Sequence, residues 1–497
     1  MKKILIYIFL GLLPVALPAC MEDLGSYDYT EINEIDFEGI DSSYVAYQGE
    51  QFKIEPNLIF TKDESDNPDN YEYEWFLHLP GALPGDKEKF LSDQRILDIP
   101  LSVAPGVYQG YYRVKDLTTG VKFATKFDIE VVSSVYEGWM VMSDINGQPR
   151  LDMASRIEED YKVIPDVLSY TGSPLNLEGD PGLVFCYSFD PRQYGIYVSS
   201  GATGTTKIDP DTFGWSEDLR LTYEATGSFA EDWKADRIYD RGSNSSLLVS
   251  GGNVYYYYRT YGISYGVPIN MVSGEAAPYT PSPYISVNPL FIVDQSILFD
   301  EDNKRFLRHT GVNSEESHLM PEGTLFDYNI GMDLKYMGYS EYNGGEAFAV
   351  LSDNSQFHIA RITQTRNNIK QVYFEPVSVP GFDQADNFTV HPDFGYLFFN
   401  IGPKVYEYDL STKVAHEMLD YGDKEITHLE FYNLAFPRTH TEDYERQLMV
   451  ATNDSSLPAE SSGKLEFYNV PPVNGQITLD SELEGFGKIV SVSYRER

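Results

Sequence analysis

Residues 396–409 read Tyr-Leu-Phe-Phe-Asn-Ile-Gly-Pro-Lys-Val-Tyr-Glu-Tyr-Asp: a short apolar strand, a turn, then a second aromatic strand. The same unit recurs along the chain. It occurs as Trp139-Met140-Val141-Met142 before Asn146-Gly147, and as Tyr194 to Val198 before Thr206-Lys207-Ile208-Asp209. Leu247-Leu248-Val249 precedes Val254 to Tyr257, and Ile297-Leu298-Phe299 precedes Arg305-Phe306-Leu307. Ala347 to Val350 precedes Phe357-His358-Ile359, and Leu448-Met449-Val450 precedes Leu465 to Tyr468. Anchors at 140, 197, 248, 298, 349, 397 and 449 stand 57, 51, 50, 51, 48 and 52 residues apart. Several strands per unit at a period near fifty residues predict a β-propeller, and seven anchors predict seven blades. The closing stretch Gly487 to Tyr494 reads as one more strand, placed to pair with the first near Trp139 and so to close the ring without a bare edge.

Upstream of about Val135 the pattern changes. Tyr71, Tyr73 and Trp75 alternate with Glu72 and Glu74, and Tyr108, Gly110, Tyr112 and Val114 repeat the spacing. After a turn at Asp116–Gly120, apolar positions from Val121 to Val131 alternate with Lys122, Lys126, Asp128 and Glu130. Period two with one apolar face marks half-buried antiparallel strands. Short strands within roughly 100 residues, with a tryptophan on a middle strand, predict an immunoglobulin-type β-sandwich. The fold class is therefore all-β, a sandwich over residues 36–134 followed by a propeller over 135–497.

The first residues carry an address. Lys2 and Lys3 precede an apolar run from Ile4 to Leu13, and Leu17-Pro18-Ala19-Cys20 follows. This describes a secretory signal over residues 1–19, with an apolar run too short for a bilayer, which needs about 20 residues. A cysteine straight after Leu-x-Ala matches the bacterial lipobox, so Cys20 is expected to be lipidated and residues 20–35 to form a tether. Glu22 and Asp23 resemble the signal that sends lipoproteins of Bacteroides-type bacteria to the outer face of the outer membrane. The remaining cysteine, Cys186, can form no intramolecular disulfide once Cys20 is acylated and reads as a small buried hydrophobe.

The net charge of −39 excludes nucleic acid and anionic lipid headgroups as partners and suits a secreted, soluble domain. The 39 tyrosines and 28 phenylalanines argue for aromatic-rich strands rather than disorder.

No constellation of catalytic residues emerges. Gly262-Ile263-Ser264-Tyr265-Gly266 matches the G-x-S-x-G nucleophile elbow in letters, yet Val267-Pro268 follows where a helix would have to begin. None of the eight histidines forms a close metal pair. The acidic loop Asp63–Asn70 offers hard oxygen ligands for calcium but lacks the spacing of an EF-hand, so no cofactor is expected. Trp215, Trp233, Tyr261 and Tyr265 lie in turn-rich segments and are candidate ligand platforms, against the alternative of packing between blades.

The lipobox, a sandwich carrying Tyr71-x-Tyr73-x-Trp75, and Glu137-Gly138-Trp139 opening a repeat domain that ends in Gly487-Lys488-Ile489-Val490 resemble the PKD-like surface lipoproteins of Bacteroides-type bacteria. The resemblance implies a non-enzymatic accessory to a SusC/SusD-type outer-membrane importer, with companion surface lipoproteins as partners and peptide or glycan as cargo. It implies membrane contact through the lipid alone, and it supplies no catalytic residues. A secreted glycoside or peptide hydrolase on a propeller scaffold, or a structural adhesin, are the alternatives.

Overall fold

The computed structural model describes residues 32–496, except 64, 66, 80–87, 102, 104, 158, 188–194, 243–244, 290–294, 311–313, 354–355, 366–367, 435–440 and 442, together with the side chain of Tyr261. The lipobox residues Cys20, Glu22 and Asp23 lie outside this range. The chain separates into two compact units, which divide between Val132 and Ser133.

In the first unit, five strands form one sheet in the order Ser43–Tyr47, Lys122–Val132, Gly106–Asp116, Tyr71–His78 and Glu88–Ser92. Two antiparallel pairs complete it: Ile35–Glu38 with Asn57–Phe60, and Gln51–Ile54 with Leu97–Pro100. The alternation read from sequence lies on this sheet, where Tyr112, Val114, Phe127 and Ile129 face a common core. Trp75 is sealed from solvent, stacks on Tyr112 at 4.0 Å and donates its indole N–H to the Gln94 carbonyl at 2.9 Å. The buried indole therefore leaves no orphan donor.

The described residues of the second unit form seven sheets. Lys488–Arg495, Gly138–Ile145, Gln148–Ile157 and Asp160–Ile164 form the first. Pro181–Tyr187, Gly195–Ser200 and Gly204–Ile208 form the second, and Arg237–Asp240, Ser245–Ser250 and Asn253–Tyr258 the third. The fourth holds Ser296–Asp300, Arg305–His309 and His318–Leu319, with its inner strand reduced to the bridge between Ser286 and Ile297. Four-stranded sheets opening with Asp333–Ser340, Ala385–Val390 and Glu425–Glu430 follow. Every anchor of the fifty-residue repeat sits on the second strand of its sheet.

The reason lies in the packing. The second strand is covered on both faces, so its apolar residues run without alternation. Met140 and Met142 pack with Ile196 and Val198 of the next sheet, whereas Trp139 and Val141 pack with Met449 and Phe467 of the last. Five further clusters join the remaining neighbours in the same manner. Seven sheets and seven shared cores, with the last core returning to the first sheet, define a closed seven-bladed propeller. Each fully buried aliphatic side chain contributes roughly 1.5–3 kcal/mol to these interfaces.

Closure follows the expected route. Lys488–Arg495 pairs antiparallel with Gly138–Ile145, Trp139 opposite Tyr494, so the two ends of this unit share one blade. Gly138 is required there: its φ is +142° and a Cβ would meet the Ala154 carbonyl at 2.1 Å.

Candidate functional site

The first strand of each blade has one edge turned to the propeller axis, and together these strands enclose a central cavity of about 660 Å³. That volume falls within the range of small-molecule sites, roughly 300–1,000 Å³. Its wall is mixed. Tyrosines and phenylalanines supply flat apolar surface, and charged groups punctuate it.

Arg237 and Tyr239 come from the third blade, Tyr284 from the fourth, Tyr336 from the fifth and Glu430 from the seventh. They converge because the inner strands of a ring face one another across its axis. The Arg237 guanidinium lies 4.8 Å from the centre of the Tyr284 ring, within cation–π range. The Tyr284 and Tyr336 rings meet edge to face at 5.7 Å, and Phe388 extends the wall at 5.7 Å from Tyr336. Tyr239 donates to the Pro283 carbonyl at 2.7 Å and accepts from the Ile285 N–H, which ties the irregular inner segment of the fourth blade to the third. His428 Nε2 sits 2.8 Å from Glu430 Oε2.

The electrostatics follow from this crowding. Burial raises the Tyr336 and Tyr239 hydroxyl pKa values, so both rings stay neutral hydrogen-bonding groups. Burial opposes the Arg237 charge, but the hydroxyls of Tyr239 and Tyr284 and the Glu430 carboxylate outweigh it, and the guanidinium is held firmly ionised. Asp240 is pushed up to about 7 by burial and by the like charge of Glu496. The cavity thus has an aromatic and cationic stretch at Arg237 and an acidic one at Asp240.

Three of the four aromatic residues singled out from sequence, Trp215, Trp233 and Tyr265, do not line this cavity and take the alternative role of packing between blades. Tyr265 is fully buried, with its hydroxyl bonded to Ser246 Oγ at 2.6 Å. Trp233 is half-buried, stacks on Phe229 at 4.0 Å and stands 6.4 Å from Tyr265, in the core shared by the second and third blades. Trp215 packs against the core between the first and second blades and donates to Thr206 Oγ1 at 2.8 Å. Tyr261 closes the turn Arg259–Tyr261, and its side chain is outside the described residues. The cause is topological. Among the described residues the second and third blades have three strands each, and loop segments fold over the edge where a fourth would lie, as the bridges Thr206–Arg220 and Ala225–Tyr265 show. Trp215, Trp233 and Tyr265 pack there.

Two other sequence candidates can be placed. Ser264 bonds Thr226 Oγ1 at 2.8 Å in this same loop, and no helix follows it. Asp63, in the acidic loop, accepts from Ser65, Asn70 and Tyr71, so its carboxylate is committed to holding the loop. A shallow hollow of about 490 Å³ near Glu178 and Arg220 opens to solvent, with Arg220 already bonded to Glu217 and the Thr203 carbonyl. Cys186 is buried on the cavity wall, its backbone N–H donating to Ser493 Oγ at 2.9 Å. Among the described residues no helix is long and apolar enough to cross a membrane.

Comparison with known proteins gives a limited likeness. Residues 20–181 match the model of a PKD-like family. A quinonprotein alcohol dehydrogenase-like protein from Bacteroides thetaiotaomicron is 10% identical, with 94% of this chain and 100% of that one covered and a TM-score of 0.46. A DUF4784 family protein from Bacteroides caccae is 11% identical over 78% of this chain and 96% of its own, with a TM-score of 0.33. A lignostilbene dioxygenase from Pseudomonas brassicacearum is 9% identical over 74% and 93%, with a TM-score of 0.39. None of these likenesses carries an activity to this chain. No curated protein matches the sequence.

Proposed function

We propose that this chain is a non-enzymatic surface lipoprotein, anchored through Cys20 in the outer membrane, that binds peptide or glycan cargo in its propeller channel beside a SusC/SusD-type importer. The observation that carries the binding reading is the convergence of Arg237, Tyr239, Tyr284, Tyr336 and Glu430 from four blades onto one cavity. A closed ring holds its inner strands in place, so such a site is organised before ligand arrives, and little ordering cost is left to binding. Flat rings beside hydrogen-bonding donors and acceptors suit polar, partly apolar polymers of either class. The lipobox supports the anchor, and the PKD-like match supports kinship with exported proteins of this type.

Hydrolysis is the second reading, favoured by one feature. Asp240, pushed up to about 7 and close to the Glu496 charge, resembles the unequal carboxyl pairs that perform acid–base chemistry. One experiment separates the two. The tagged full-length protein is purified from membranes and assayed for an importer partner, for ligand binding and for turnover of peptide and polysaccharide pools. Recovery with an importer and binding without turnover is expected. Recovery alone removes the docking claim, and turnover abolished by Asp240→Asn hands the case to the hydrolase.

A further inference from the structure

We propose that the channel ligand bears a carboxylate and that Arg237 is the residue that receives it. This rests on the reading of the channel as a binding site and specifies its chemistry. Arg237 belongs to the inner strand Arg237–Asp240, lines the cavity and is exposed there. Among the described residues no carboxylate lies within ion-pairing distance of it, although the chain has 76 acidic residues against 37 basic. Other arginines of this unit are engaged in that way: Arg305 with Asp300 and Glu275, Arg361 with Glu346, Arg150 with Asp152. The Glu430 charge bears on this guanidinium across the channel without an ion-pair contact, and the planar fork beside Tyr284 fits a carboxylate through two parallel hydrogen bonds.

The surroundings fix how that fork is presented. Tyr284 lies against the guanidinium at 4.8 Å and limits its rotation. Tyr284, Tyr336 and Phe388 then form a continuous wall for the body of the ligand. Glu430 is held by His428 and offers an acceptor to a hydroxyl or an amine farther along the same molecule. Asp240 is three residues beyond Arg237 on the same strand, ~10 Å away at the usual rise. Its charge, with that of Glu496, opposes the wrong orientation and directs the ligand's neutral or cationic part toward that end.

Two sources present this chemistry, a uronic acid within a glycan and the free C-terminus of a peptide. The test uses the full-length protein with four probes: trigalacturonate, its methyl ester, a free-acid tripeptide and its C-terminal amide. Calorimetric titration should show one acid bound about tenfold more tightly than its own neutral form, the loss expected for one charge-assisted contact. The preferred acid identifies the source. Arg237→Ala should erase the acid-over-neutral ratio, and Arg237→Lys should reduce it because the fork is lost while the charge remains. Thermal melting of both variants beside the parent separates lost recognition from lost folding. Equal binding of acid and neutral forms, or an unchanged ratio in Arg237→Ala, overturns the proposal while leaving the channel as a binding site. Failure of all four probes, with other peptides or glycans bound, does the same. Failure of every peptide and glycan removes the underlying reading as well.

Discussion

Glu407 offers the sharpest energetic test of the propeller. It lies on the third strand of the sixth blade, Lys404–Asp409, opposite His416, and is fully buried. Neither carboxyl oxygen receives a hydrogen bond from a described residue. Burial first, and the nearby Asp409 charge second, push its pKa up to about 7 from 4.5. An acid whose folded pKa exceeds its unfolded value binds its proton more tightly when folded. Its contribution is therefore intact below about 4.5 and declines as the pH rises toward 7. The full shift corresponds to about 3 kcal/mol, and allowing for screening by relaxation around the site, about 2–3 kcal/mol should be lost across that window. Glu407→Gln removes the titration, although its amide adds a pH-independent cost of its own. Asp409 also titrates, but it is lowered to about 2, held by Ser411, Asn474 and Thr412 against the opposing effect of burial, so its window lies below that of Glu407. The assay is urea unfolding at intervals between pH 4 and 8 for both proteins. The stability difference, parent minus variant, should fall by about 2–3 kcal/mol from pH 4.5 to 7 and then flatten. Parallel curves would refute the assignment of an unpaired, ionisable carboxyl to this position.

Other expectations are checked more directly. Cys20→Ala should yield protein without lipid, read by mass spectrometry of the N-terminus, and replacing Glu22 and Asp23 with Ala should reduce protease accessibility on intact cells. Residues 135–497 alone should be soluble, β-rich and cooperative in unfolding by circular dichroism. Ending the chain before Gly487 removes Ile489, Val492 and Tyr494 from the shared core. At roughly 1.5–3 kcal/mol each, that approaches the whole stability of a typical domain, and a truncation that melted like the parent would disprove closure by this strand. Capture of an anionic ligand should weaken at low salt, where the net charge of −39 is least screened, and stopped-flow association rates measured against salt would show the opposite slope if the local Arg237 field dominated.

The elements most legible in the sequence were those buried on two sides. Leu397-Phe398-Phe399 could only be a short strand covered on both faces, and seven such runs at one period imply a ring. Tyr71, Tyr73 and Trp75 were legible for the opposite reason, since one wet face imposes alternation. The channel was not legible. Arg237, Tyr336 and Glu430 stand on the strand preceding an anchor and Tyr284 on the irregular segment in that place, in stretches of mixed composition, because the innermost segment of each blade gives one edge to the cavity. No spacing links residues drawn from four blades. Tyr265 and Trp233 misled because a turn-rich segment ordinarily lies at the surface, whereas here it substitutes for a missing strand. The fourth blade's inner strand was illegible too, being a single bridge at Ser286.

The channel arginine and the acidic shell act on an anion together. A surface bearing −39 repels anions from every approach, so a carboxylate gains nothing from general attraction. It is held only where a specific contact outweighs that background, and the axis of the ring supplies one in Arg237, backed by the Tyr284 ring. Discrimination then comes as much from the repulsion elsewhere as from the contact itself. Modest affinity is the consequence, and in solution it would be a weakness. On a membrane it is not, because a lipid at Cys20 would confine the protein and an importer to one plane, where a high effective concentration makes weak, quickly released contacts sufficient for transfer. On the proposed function, a tighter site would retain cargo that an importer has to receive.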